Sequence, residues 1–260
     1  MAATLSVVVP AYQEAARAPR LVAAVRDAAA DDVARAGLEL LEVIVVDDGS
    51  TDATASVLEE GARSTPLLRP LPAPGGHGGK GHAVAAGIAA ARGELVLLAD
   101  CDLSAPLAEV AHLHQALRGG ADVAIGSRAA AGADVRNTPL TREYMGRTFN
   151  RLVRAATGLP HHDTQCPLKL LRTSDARRLA EAMQTRGFAF DVELLVRAQE
   201  AGLSVAEVPI AFCHDLDSRV DPIAHALEMA RDVARLRRSQ RKPERDARRQ
   251  VQPAGDELRL

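Results

Sequence analysis

Asp100-Cys101-Asp102 directly follows the apolar run at residues 94–99, and carboxylates two residues apart on an extended segment project to the same side. At about 5 Å and an effective dielectric near 20 they repel by roughly 3 kcal/mol, a cost that a divalent cation reverses. The pair reads as a site for Mg2+ or Mn2+. A second acidic stretch, Asp47-Asp48-Gly49-Ser50, ends another apolar run, and the stretch from Pro72 through Gly75, Gly76, His77, Gly78, Gly79, Lys80 and Gly81 enters a helical pattern. A lysine at a helix start, beside free backbone N–H groups, suits a phosphate or diphosphate. Each stretch has a plainer reading alone: caps for a helix near Pro106, a turn, a solvated loop. Three such loops after strands of one sheet converge on one cleft, and together they describe a nucleoside diphosphate site.

The glycine loop needs discrimination. Gly76, Gly78 and Gly81 satisfy G-x-G-x-x-G, and Asp100 stands about 20 residues on, where a dinucleotide fold keeps its ribose-binding acid. That motif needs a strand running into its first glycine, whereas Pro70, Pro72 and Pro74 precede it here and proline cannot donate to a central ladder. A Walker A loop fails too, since its first glycine falls on Pro74 and its Ser/Thr on Gly81.

The surrounding pattern supplies the scaffold. Residues 6–9, 40–46, 94–99 and 122–126 read as strands buried on both faces, with helices over 17–36 (Leu21, Val25 and Val33 inward), 53–63, 82–92 and 107–118, and an edge strand at Leu67-Leu68. After Arg128 come a Gly/Ala loop, a helix near 141–157, a strand at 165–171, helices near 174–183 and 191–201, and a strand at 204–212. This alternation implies an α/β fold, a mostly parallel central sheet with helices on both faces. One domain over 1–236 is expected, its nucleotide half at 1–128 and its acceptor half at 129–236, with a basic helix from Pro222 and a disordered tail at 237–260.

Composition narrows the partners. A net charge of −2 and 2% aromatics provide neither the field nor the stacking platform that nucleic acid requires. Three scattered cysteines argue against disulfides and a cysteine zinc site, implying a reducing, cytoplasmic setting. No apolar run approaches the roughly 18 residues of a membrane span, although the arginine-rich end from Arg231 suits peripheral contact with an anionic membrane face. A homodimer stays open.

Pro10-Ala11-Tyr12-Gln13-Glu14, Asp47-Asp48-Gly49-Ser50-Thr51-Asp52, Gly79-Lys80-Gly81, Asp100-Cys101-Asp102 and Gly126-Ser127-Arg128 resemble, in order and spacing, the family 2 glycosyltransferases of GT-A fold. Asp163-Thr164-Gln165-Cys166, residues 188–195 and Ser218-Arg219-Val220 are similar to the dolichyl-phosphate and polyprenyl-phosphate β-glucosyltransferases within it. The resemblance implies that Pro10, Tyr12 and Glu14 line a nucleoside pocket and that Asp47 or Asp48 reads uracil and ribose. Lys80 then lies near base and diphosphate, Asp100 and Asp102 hold the sugar nucleotide and metal, and Arg128, Lys169 and Arg219 meet diphosphate or acceptor charge. UDP-glucose is the implied donor, and a polyprenyl phosphate the implied acceptor.

An inverting transfer follows, in which an ionised lipid phosphate needs cations but no base. An alcohol acceptor needs a carboxylate to take its proton, with Asp191 and then Asp163 as candidates, each of which also reads as a local structural residue. His214 is a weaker diphosphate contact, and the adjacent His161 and His162 point apart and read as exposed loop residues. A soluble small-molecule acceptor is the main rival. A sugar-nucleotide pyrophosphorylase would carry its glycine loop directly after the first strand, and a non-catalytic sugar-nucleotide binder would have no turnover to lose.

Overall fold

The computed structural model describes residues 2–138, 140–214 and 229–238. The first half runs β1 (Ala3–Ala11), α1 (Ala18–Ala24), α2 (Ala30–Arg35), β2 (Leu38–Asp47), α3 (Thr54–Ser64), β3 (Leu68–Pro72), α4 (Lys80–Ala90), β4 (Leu95–Leu98), α5 (Val110–Arg118) and β5 (Val123–Ser127). The second half adds β6 (Asp134–Arg136), α6 (Leu140–Thr157), β7 (Lys169–Arg172), α7 (Thr173–Ala182), α8 (Phe190–Glu200), β8 (Val205–Pro209) and β9 (Ala211–Cys213).

The continuous apolar stretches Val7–Val9 of β1 and Val43–Val46 of β2 demand cover on both faces, and the alternation along them provides two cores. Leu5, Val7, Val9, Val43 and Val45 face one, packed against Leu21, Val33, Leu58 and Leu113 of the helices. Val8, Ile44 and Val46 face the other, against Ala83, Val84, Ile88 and Leu194. Seven strands form one sheet in the order β3-β2-β1-β4-β7-β5-β8. Only β7 runs against its neighbours, pairing antiparallel with both β4 and β5. That reversal puts the first residue of β7, Lys169, beside Leu98 and Ile125, at the edge where the parallel strands end.

Several elements differ from the sequence reading. A π-helical turn, Val25–Ala29, separates α1 from α2, yet Val25 and Ala29 keep their buried side. The edge strand β3 extends through Pro70 and Pro72, which an edge position tolerates. The expected loop after Arg128 contains β6, and the strand at 204–212 divides into β8 and β9. The division falls at Ile210, whose N–H donates to Ser127 and whose carbonyl accepts from Asp134, so the chain passes there from the large sheet to the β6–β9 pair.

Glu42, buried in β2, ties together elements on the side of the sheet away from the strand ends. It accepts hydrogen bonds from Ser6 Oγ (2.9 Å), Arg69 Nη1 (2.9 Å) and the backbone N–H of Arg92 (2.9 Å), and it meets the Arg92 guanidinium at 2.8 Å. Burial alone would raise its carboxyl, but the arginines and the hydroxyl hold it below the ordinary 4.5. A depressed folded pKa contributes stability above the unfolded value that is lost as pH falls through the folded one. Urea midpoints are therefore expected to fall below about pH 4.5. Glu42→Gln is expected to unfold more easily at pH 7 and to show a flatter decline in acid.

Candidate active site

The carboxyl ends of β1, β2, β3, β4 and β5 lie on one edge, and the chain switches direction across the sheet between β1 and β4, the crevice where open α/β sheets bind ligands. A predicted segment follows each of these five strand ends. Pro10 lies near the end of β1, and Tyr12 and Glu14 follow it, Glu14 paired with Arg17 at 3.0 Å. Burial, with Asp102 and Asp100 nearby, raises the Glu14 carboxyl despite that arginine.

The two acids after β2 have different tasks. Asp48 is buried and accepts from the N–H groups of Gly78 (3.0 Å) and Gly79 (2.8 Å), with His77 Nδ1 at 2.8 Å from Oδ2. It organises the glycine loop, so its carboxylate is not open to uracil or ribose. Asp47 caps the Ser50 N–H at 3.1 Å and stays half-buried. Glycine is required at two contacts in this loop packing: a Cβ on Gly49 would lie 2.6 Å from the His77 backbone N, and one on Gly79, at φ +100°, 2.6 Å from the Arg186 carbonyl. The exposed Tyr12 ring stacks on His77 with centroids 4.1 Å apart, an aromatic platform at the crevice mouth to which sequence reasoning contributed only Tyr12.

Lys80 is the first residue of α4 and pairs with Asp100 at 2.7 Å, its ammonium within 6 Å of the Phe188 (5.9 Å) and Phe190 (5.8 Å) rings. Burial opposes the charge, but Asp100 and Asp191 outweigh it and hold the ammonium pKa above its usual value. The segment after β4 is a turn rather than an extended stretch: Leu103 N–H donates to the Asp100 carbonyl (3.2 Å) and Ser104 N–H to Asp102 Oδ1 (2.9 Å). The two carboxylates thus diverge in environment, Asp100 toward Lys80 and Asp102 toward solvent. Cys101 between them is buried, and burial pushes its thiol up, away from thiolate chemistry. Among the described residues no three His, Cys, Asp or Glu side chains gather as a complete metal cage. Two hard carboxylates fit a cation of the Mg2+ or Mn2+ kind when substrate phosphates complete its shell.

Other predicted residues are placed differently. Lys169, expected at diphosphate or acceptor charge, is fully buried and donates to Asp191 Oδ1 (2.5 Å) and the Cys166 carbonyl (2.7 Å), so it cannot reach a ligand. Asp191 is buried in the first turn of α8, whose N-cap is Ala189; burial raises its carboxyl even with Lys169 and Lys80 beside it. It is the counterion of Lys169 rather than an open base. Asp163 is buried and grips Arg128 with both oxygens, Nε to Oδ2 at 2.7 Å and Nη2 to Oδ1 at 2.9 Å. That pair holds the Asp163 carboxyl below its usual range against burial, which is the wrong direction for a general base. His214 meets the edge of Phe212 (4.8 Å), the ring over which the Arg128 guanidinium sits at 5.0 Å. His161 is buried rather than exposed, while His162 is exposed beside Glu207. Arg219 and the start of the basic helix lie outside the described residues, and no helix among them is long and apolar enough to cross a membrane.

Comparison with known proteins bears on the family and the fold. Residues 6–179 match Glycosyl transferase family 2. The chain belongs to this family. Over 201 residues it is 35% identical to a dolichyl-phosphate beta-glucosyltransferase of Trichomonas vaginalis, covering 75% of this chain and 59% of that protein. It is 31% identical to the dolichyl-phosphate beta-glucosyltransferase of Dictyostelium discoideum, covering 90% and 73% of the two chains. Among solved structures, glucosyl-3-phosphoglycerate synthase from Mycobacterium tuberculosis, in complex with Mn2+, UDP and glucosyl-3-phosphoglycerate, superposes with a TM-score of 0.65 at 21% identity, covering 90% and 80%. The fold of this family 2 glycosyltransferase is therefore GT-A, as its sequence implied.

Proposed function

We propose that this glycosyltransferase moves a hexosyl group, glucose from UDP-glucose in the first instance, to the phosphate of a polyprenyl phosphate, with inversion at the anomeric carbon. The observation that carries the reading is the Lys80–Asp100 pair at 2.7 Å, a fixed cation between the glycine loop and the acidic turn. Similarity to dolichyl-phosphate beta-glucosyltransferases supports the acceptor class, and the Mn2+ and UDP of the glucosyl-3-phosphoglycerate synthase complex support the donor side.

Asp102, with Asp100, would hold a divalent cation that supplies Lewis-acid stabilisation to the diphosphate. Tyr12 offers its ring to the base, Asp47 its carboxylate to the nucleoside, and Pro10 and Glu14 wall the pocket. Lys80 compensates the charge that grows on the leaving diphosphate. Arg128 turns toward a phosphate with the one guanidinium nitrogen, Nη1, that Asp163 does not engage. An acceptor phosphate oxygen forms the bond to the anomeric carbon as the bond to the diphosphate oxygen breaks, and UDP leaves. The acceptor arrives ionised, so no side chain has to take a proton, which agrees with the engaged state of Asp163 and Asp191. The exposed Arg231, Arg235, Arg237 and Arg238 of the helix at 229–238 favour a peripheral position on an anionic bilayer.

The test is nucleotide release from a panel of UDP- and GDP-sugars with Mn2+, with and without a short polyprenyl phosphate. Release from UDP-glucose only when the lipid phosphate is present is the expected result, abolished by EDTA and restored by Mn2+. Release that ignores the lipid reassigns the acceptor to a soluble molecule, and no release with any pair overturns the transferase reading.

A further inference from the structure

Glu207 stands in Val205-Ala206-Glu207-Val208-Pro209, within the strand expected at 204–212. In the structure that carboxylate is a hub. Oε1 accepts from Ser127 Oγ at 2.7 Å, from the Asp163 N–H at 2.8 Å and from the His162 N–H at 3.1 Å. Oε2 meets the His162 N–H at 3.0 Å and His162 Nδ1 at 3.2 Å. Parallel pairing of β5 with β8 sets Glu207 opposite Ile125, two residues before Ser127 and the start of the Arg128 loop.

These contacts join two loops that the Arg128–Asp163 pair then closes. Asp163 Oδ2 accepts from the backbone N–H of Arg128 (2.9 Å) as well as from its Nε, and Ser127 Oγ accepts from the N–H groups of Ala129 (3.2 Å) and Ala130 (3.0 Å). The segment at 160–163 lies outside any helix or strand, so Glu207 supplies anchoring that no ladder provides. Burial would raise the Glu207 carboxyl, but the amides and the hydroxyl hold it below its usual range, so it stays an acceptor for both loops.

We infer that Glu207 is a positioning residue for Arg128, acting through the backbone of His162 and Asp163, and that it thereby sets the affinity for the phosphate-bearing substrate that Arg128 meets. The inference rests on the reading of Arg128 as a phosphate contact. Groups that orient a metal ligand typically change affinity by about 10- to 100-fold when replaced, and an oriented arginine is expected to respond at the lower end of that scale.

The test is a double-mutant cycle on the full chain, with kcat and KM measured for donor and acceptor separately. Glu207→Gln keeps the shape but aims an NH2 group at the loop amides. It is expected to raise KM for one phosphate-bearing substrate by about 10-fold with kcat little changed. Arg128→Ala is expected to raise the same KM further, and the double variant to be no worse than Arg128→Ala alone, because both changes remove one interaction. Multiplying effects, or an unchanged KM in Glu207→Gln beside a raised one in Arg128→Ala, overturns the inference while leaving Arg128 as a phosphate contact. If Arg128→Ala changes neither KM, the reading of Arg128 fails first. Where Glu207→Gln melts below the assay temperature, Glu207→Asp, shorter by one methylene but still charged, replaces it in the same cycle, and the same KM comparisons decide.

Discussion

Asp102→Asn loses turnover by about 100- to 1,000-fold while its melting temperature stays that of the parent. The side chain is exposed, and its hydrogen bond is to the Ser104 N–H, which an asparagine oxygen accepts equally well. The turn therefore keeps its shape, and what disappears is one negative charge after β4. If that charge holds a divalent cation, the variant needs far more Mn2+ for half-maximal rate, and a Mn2+ titration of kcat reads this directly. Turnover within twofold of the parent at ordinary Mn2+ would remove Asp102 from the metal site. Asp100 is a poorer probe of the same question, because its loss also frees Lys80.

The largest effect on stability is expected at a residue the sequence assigned to ligand binding. Lys169→Met should destabilise by about 3–5 kcal/mol, since removing one partner of a buried ion pair leaves an uncompensated charge. Lys169 is fully buried, and Asp191, 4% exposed, would keep only the more distant Lys80 for company. Urea denaturation of three proteins checks this: the parent, Lys169→Met, and Lys169→Met with Asp191→Leu. The double variant should recover most of the loss, because two apolar side chains of similar volume need no counterion. The pH dependence has a definite sign. Burial already raises the Asp191 carboxyl in the fold, and loss of Lys169 raises it further, so the folded variant binds a proton that the unfolded chain has released above its ordinary 3.8. Stability of Lys169→Met thus falls as pH rises through that interval, and its deficit against the parent narrows in acid. A deficit that is constant from pH 4 to 7 would mean that packing, rather than the stranded carboxylate, dominates.

Much of the scaffold was legible because it depends on near neighbours in the chain. Val7–Val9 and Val43–Val46 are continuous β-branched runs, and only strands covered on both faces can bury them. Pro70, Pro72 and Pro74 excluded a central strand before the glycine loop, and the strand found there is indeed at the sheet edge. The placing of Lys80 at a helix start was likewise legible through local rules about helix ends, and Lys80 is indeed the first residue of α4. The antiparallel course of β7 had no such signal. A short apolar run carries no mark of direction, and the direction decides which end of β7 meets the crevice.

What the sequence by itself determined is the class of scaffold, the crevice edge and the residue types that face it. Which of those residues remain open to a ligand was decided by tertiary structure alone. Asp47 and Asp48 are neighbours with identical chemistry, yet Asp48 is consumed by amides some 30 and 31 positions away. Lys169 and Asp191 are 22 residues apart, and Glu207 and Asp163 are 44 apart. Hydrogen bonds and ion pairs reach about 3 Å and take no account of chain separation. Residue spacing therefore predicts a helix or a strand, but only the packed fold reveals which charges have already found a partner.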